Sequence, residues 1–176
     1  ADIVANCTFE ILRQVLPMAT IQAHVIVLDS SRPDKFSQHL IVRTLRNGKE
    51  APLEKGLEAA KYIATLVKSR LHSLGLHTAA TLIDDSVYTK NRCFRVLGSS
   101  KLAEKQTTKL PAFRFLKSIV YTDGKSPQIT HSPEPSFSDT LIVPVHMNAG
   151  TNCLALHSVV NSLFTLDPAA KQQAKN

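Results

Sequence analysis

Cysteine is scarce in this chain. Cys7, Cys93 and Cys153 are far apart and odd in number. That excludes a disulfide framework and a zinc knuckle, and it suits a reducing compartment. No apolar run approaches the ~20 residues needed to span a bilayer, so no membrane partner is expected. The first residues lack the basic start and apolar stretch of a secretory signal. Neither GxGxxG nor GxxxxGK followed by Ser or Thr occurs, which leaves no Rossmann or P-loop phosphate cradle. There is no G-x-S-x-G elbow and no Ser-His-Asp order. His24, His72, His77, His131, His146 and His157 show no metal-ligand spacing with one another or with the cysteines. No internal repeat or low-complexity tract interrupts the chain.

What remains is a chain of 176 residues, 43% hydrophobic and 20% charged, a composition ordinary for a folded protein and excluding a disordered one. The length fits one domain, or two small subdomains around one sheet. The formal net charge is +7. Residues 86–125 hold nine Lys/Arg against two Asp/Glu and carry the whole excess. Charge concentrated in this way is the footprint of a polyanion, or else a solvated basic face.

Ile3, Val4, Cys7, Ile11, Leu12 and Val15 recur at helical spacing, and Pro17 closes the run, which predicts a helix over 2–16. His24–Leu28 reads as a buried strand and Gln38–Thr44 as a second, close enough to pair antiparallel. Asn47-Gly48 is a turn. From Pro52, the positions Leu53, Leu57, Ala60, Ile63, Val67, Leu71 and Leu74 step by three or four until Gly75, the pattern of a long amphipathic helix. Two short strands are expected near Thr81–Tyr88 and Cys93–Leu97, with a loop over 98–101. Residues 112–122 fit strand or helix, and 125–136 read as an exposed linker. Leu141–Val143 suggests an edge strand and Leu154–Phe164 a last helix, with a frayed tail after Pro168. The expected class is α+β, a mixed and largely antiparallel sheet with packed helices.

Three clusters carry chemistry. In Lys35-Phe36-Ser37-Gln38-His39, a strand would turn Ser37 and His39 to one face, where a cation, a hydroxyl and an imidazole meet one phosphate chain. Asp84, beside Asp85 at the end of an apolar strand, is placed to ligate a hard cation. Arg92, Arg95 and Lys101 offer charge-assisted phosphate contacts, with Tyr88 and Phe94 interleaved. Each also fits a plainer role: a half-exposed strand, an Asp bonded to its own turn, core aromatics.

Together the clusters are specific. Leu28-Asp-Ser-Ser-Arg-Pro-Asp-Lys-Phe-Ser-Gln-His-Leu-Ile-Val42 resembles the second motif of the eukaryotic primase-polymerase (PrimPol) family, in the archaeo-eukaryotic primase superfamily. Leu82-Ile-Asp-Asp-Ser-Val-Tyr-Thr-Lys-Asn-Arg-Cys-Phe-Arg-Val-Leu-Gly-Ser-Ser-Lys101 resembles its third motif and the basic segment after it. Phe137-Ser-Asp-Thr-Leu141 resembles a shorter run further on.

That resemblance implies the C-terminal part of a primase (RRM-like) catalytic core over residues 1–145, with 146–176 a divergent extension. It implies Asp84 as a ligand of Mn²⁺ or Mg²⁺ and as catalytic together with His39. Lys35, Ser37, His39, Arg92, Arg95 and Lys101 would bind the incoming (d)NTP. The basic stretch, through Lys105, Lys109 and Lys117, would bind the single-stranded DNA template and primer. The implied reaction is templated nucleotidyl transfer, serving DNA replication, damage tolerance and translesion synthesis in nucleus or mitochondrion, with a single-strand-binding protein as partner through regions outside this chain. The family's D-x-E first motif is not found before Ser37, and its Cys/His zinc module is not found after Lys101. The expectation is therefore a partial core, inactive alone. The alternative is a non-catalytic nucleotide- or nucleic-acid-binding module without a metal site.

Overall fold

The structure is a computed structural model that describes residues 1–16, 22–53, 56–89, 94–100 and 112–140. The chain order is α1 (Asp2–Val15), β1 (Gln22–Asp29), β2 (Gln38–Arg46), β3 (Lys49–Glu50), α2 (Gly56–Ser73), α3 (His77–Thr81), a 3-10 turn (Asp85–Tyr88), β4 (Arg114–Thr122), β5 (Gln128–Thr130) and a second 3-10 turn (Ser138–Thr140). Five strands form one open sheet in the order β3-β2-β1-β4-β5. Every pairing is antiparallel, so the α+β expectation holds, and the described strands contain no parallel pair to make the sheet mixed.

Side chains alternate along β1 and so divide the core in two. Ala23, Val25 and Val27 face the helical layer beside Ile119 and Tyr121 of β4, and Leu12 and Val15 of α1 with Ile63, Val67 and Leu71 of α2 cover them. The heptad-like spacing that makes α1 and α2 amphipathic is what places these residues on one stripe. Tyr121 crowns this layer. Its hydroxyl donates to Asn6 Oδ1 at 2.7 Å, its ring stacks on Phe9 at 4.9 Å, and burial, helped by Asp2, pushes the phenol up to about 12. Cys7 is buried here as a free thiol, and burial raises its pKa, which makes it a packing residue rather than a nucleophile.

Ile26 and Leu28 face the other way. With Ile41 of β2 and Phe113 they form a second, smaller cluster, which Phe94, Leu97 and Phe115 cover. A bulge shapes this face. Val27 pairs with Lys117 but Leu28 pairs with Phe115, so Leu116 is the extra residue. One inserted residue reverses the alternation of β4 beyond it. Phe113 and Phe115 therefore lie on the face of Ile26 and Leu28.

Several local expectations are met for the reasons given. Asn47 (φ 51) and Gly48 (φ 73) form the two-residue turn of the β2–β3 hairpin. Within the 112–122 stretch, Arg114–Thr122 is a strand. Others are corrected. Helix α2 begins at Gly56 rather than Pro52, and Leu53 makes a bridge instead of starting the apolar stripe. Thr81–Tyr88 is not a strand. It is the end of α3, a turn and a 3-10 segment, because a short apolar run carries no period of its own and Asp84-Asp85-Ser86 supplies turn chemistry. Phe94–Leu97 is likewise irregular, and the 125–136 linker contains β5, paired to β4 through Ile119↔Ile129. The edge strand at 141–143, the helix at 154–164, the tail and the 146–176 extension lie outside the described residues. No helix among the described residues is long and apolar enough to cross a membrane.

Candidate functional site

The β1–β2 connection carries the first cluster. Ser30 N donates to Ser37 O at 2.9 Å, and Arg32 and Lys35 exchange backbone hydrogen bonds at 2.9 and 3.1 Å around Pro33-Asp34. The connection is thus a tightened hairpin neck with Lys35 and Phe36 exposed at its tip. Ser37 lies one residue ahead of β2, not within it as expected. Its amide donates to no strand carbonyl. Instead it donates to Ser31 Oγ at 3.0 Å, and its hydroxyl accepts from Ser30 Oγ at 3.2 Å. Asp29, at the end of the central strand, ties the neck down by accepting from Ser31 Oγ at 2.7 Å and Gln38 Nε2 at 3.1 Å.

His39 stands opposite Leu28 on the smaller face. Its ring is clasped by two phenylalanines, Phe113 stacked at 4.0 Å and Phe94 tilted at 4.2 Å. Nδ1 lies 2.9 Å from the backbone carbonyl of Arg95. A carbonyl only accepts, so Nδ1 carries the proton and the neutral ring keeps its lone pair on Nε2. Burial pushes the imidazole pKa down. The Arg95 carbonyl opposes that shift and the Arg95 charge adds to it. The Arg95 guanidinium itself sits 4.6 Å over the Phe113 ring.

Two further contacts bring the third stretch to this face. Leu97 N donates to Thr140 Oγ1 at 3.2 Å, and Arg43 Nη2 donates to Ser138 O at 3.1 Å. Arg43 also pairs with Glu50 across the hairpin. Asp139 accepts from both the amide and hydroxyl of Ser136 at 2.7 Å, and the hydroxyl contact is the leading cause of its lowered pKa. His24, near Arg43, Asp139 and Glu50, has its pKa lowered by burial first and by Arg43 second.

Asp84 belongs to the other layer. Ile83 packs against the helix-covered core. Asp84 Oδ1 accepts from Ser86 N at 2.9 Å as the cap of the 3-10 turn, and Asp85 pairs with Lys68 of α2 at 2.5 Å. The carboxylate is at a helix-to-turn junction, not at a strand end. Tyr88 is held up in pKa by burial, then by Asp85 and Asp84. Lys117 of β4 pairs with Asp2 at 2.5 Å and is 16% exposed, so it reaches a phosphate only by leaving that carboxylate. Arg92, Lys101, Lys105 and Lys109 lie outside the described residues.

Nucleotidyl transfer by two metals needs several carboxylates to hold cations ~3.5–4 Å apart. Among the described residues no group of three His, Cys, Asp or Glu side chains could hold a metal ion, and the described donor set does not fit such a centre. Phe113, Phe94 and the Arg43–Ser138 tie are the parts of this face that sequence reasoning missed as a unit. The period-two alternation of Ala112-Phe-Arg-Phe was the available signal for Phe113.

The two shifted histidines make stability depend on pH. Both fold with pKa values below the ordinary 6.5, so above that value their contribution is complete. As pH falls through 6.5 the unfolded chain takes up protons that the folded chain refuses, and stability is lost. Urea midpoints are expected to be lower at pH 5.5 than at pH 7.5, with the difference reduced in His39→Gln. A pH-independent midpoint would show that both rings are solvated.

The fold and this face define an α+β protein with an open antiparallel sheet, one face under helices and the other bearing a clasped histidine. Comparison with protein-family models, curated proteins and solved structures finds no match.

Proposed function

We propose that this chain is part of a primase-polymerase catalytic core whose smaller sheet face handles the triphosphate of an incoming nucleotide. One observation supports it above the rest. Parts of the three stretches that carry the resemblance to that family, far apart in the chain, meet on one sheet face, with His39 on the Arg95 carbonyl, Leu97 on Thr140 and Arg43 on Ser138, while Asp84 of the second stretch lies on the helical side. In the proposed parent reaction a primer 3′-hydroxyl attacks the α-phosphate. A P–O bond forms to the primer, the hydroxyl proton passes to water, the bond to the bridging oxygen breaks, and pyrophosphate leaves. Lys35 at the hairpin tip supplies a cation and Ser37 a hydroxyl. His39 offers Nε2 from a ring whose tautomer is already set.

The metal-ligand deficit among the described residues favours a second reading, a nucleotide-binding module that does no chemistry. Both readings require triphosphate binding, and calorimetric titration with dATP in EDTA measures it. Lys35→Ala and His39→Ala are each expected to weaken binding about tenfold, the loss of one charge-assisted or site-directed hydrogen bond. Binding unaffected by either change, or no binding at all, overturns the assignment of this face.

A further inference from the structure

We propose that His72 and His77 form a site for a first-row transition-metal ion, Cu²⁺, Ni²⁺ or Zn²⁺, clipped across the turn between α2 and α3. Their Nδ1 atoms are 3.0 Å apart and their ring centroids 5.3 Å apart. Both rings are exposed. Sequence spacing gave no hint of this. Residues five apart on a continuous helix point about 140° away from each other at 3.6 residues per turn. The turn removes that separation. Gly75 takes φ +73, Gly75 N donates to His72 O at 3.0 Å, and Leu76 N donates to Leu71 O at 2.9 Å. This pair of bonds is the Schellman arrangement that ends a helix and redirects the chain. Leu71 is fully buried and Leu76 packs on the same core, so both sides of the turn are anchored. His77 then opens α3 beside the His72 ring.

The spacing suits an ion. With metal–nitrogen bonds of ~2.0–2.1 Å, two imidazoles at a right angle place their nitrogens about 2.9 Å apart, and at a tetrahedral angle about 3.3 Å apart. The observed 3.0 Å lies between them. In the empty pair one Nδ1–H donates to the other Nδ1. On binding, that proton moves through solvent to Nε2 of the same ring, both Nδ1 lone pairs turn to the ion, and water completes the coordination. No net charge is gained or lost by the protein. Two imidazoles select nitrogen-seeking ions in the order Cu²⁺ over Ni²⁺ and Zn²⁺, and leave Mg²⁺ to oxygen ligands. The site is independent of the nucleotide face.

The test uses the untagged 176-residue chain. Thermal unfolding is followed with added NiCl₂, ZnCl₂ or MgCl₂, and amide NMR spectra are recorded with substoichiometric Cu²⁺. A rise in Tm of about 3–6 °C is expected when free Ni²⁺ or Zn²⁺ is about tenfold above its Kd, and none with Mg²⁺. His72→Gln and His77→Gln each abolish the rise while leaving the metal-free Tm in place, and Cu²⁺ broadening centres on residues 70–79. No rise with Ni²⁺ or Zn²⁺, a rise that survives either substitution, or broadening centred elsewhere, such as on the exposed His131, overturns the site.

Discussion

Replacing Phe113 by alanine is expected to destabilise the chain by about 3–5 kcal/mol, the usual cost of deleting a fully buried aromatic ring. Phe113 is 1% exposed and fills the gap between Ile26, Leu28 and Ile41. Its backbone clamps the 94–100 segment, accepting from Gly98 N at 2.8 Å and donating to Ser99 O at 3.0 Å. Its ring is also the surface on which His39 stacks and over which Arg95 lies. Removing the ring therefore leaves a cavity and unroofs the histidine. Burial is the leading cause of the lowered His39 pKa, so a solvated ring titrates at higher pH. Two measurements check the claim together. Urea unfolding of Phe113→Ala gives the stability loss, with Phe113→Leu losing clearly less, and imidazole NMR titration gives an upward shift for His39. A loss below about 1 kcal/mol would mean that Phe113 is not the plug of this face.

That plug shows where reading the sequence stops. Helices α1 and α2 announce themselves because their apolar residues repeat at the helical period, and Asn47-Gly48 and Gly75 mark their turns through positive φ. Strands β1 and β2 were legible as a pair because a short polar neck joins them. The apolar run before Asp84 was not, since Ala79-Ala80-Thr81 and Leu82-Ile83 suit helix and strand alike over so few residues. The face that Phe113 adopts depends on the extra Leu116 in β4, and a bulge leaves no mark in the hydrophobic pattern. Phe94 could be read as a base-stacking ring, though such a ring is more often a core residue, and it packs on His39 and the smaller core. The candidate site was legible as residue types, namely His39, Arg95 and Ser37. Its clasp, its tautomer and the seating of Asp84 on the helical side come from pairings distant in sequence.

Primer extension separates the two functional readings, and its expected outcome is all or none. With Mn²⁺ and deoxynucleotides, the 176-residue chain is expected to extend no primer. Asp84 caps a turn through Ser86 N, and among the described residues no carboxylate or imidazole group joins it to hold an ion. The same chain preceded by a D-x-E-bearing segment is expected to extend, because two more carboxylates would supply the ligands that two cations need. Asp84→Ala in that longer chain is expected to return it to silence, whereas Asp85→Ala, which removes the partner of Lys68, is expected to leave most activity in place. The comparison of these two neighbours matters because both substitutions disturb the same turn, so a structural effect would strike both. Robust synthesis by the 176-residue chain would show that other side chains of this chain hold the metal ions. Silence from the longer chain, with dATP binding intact, would favour the binding module.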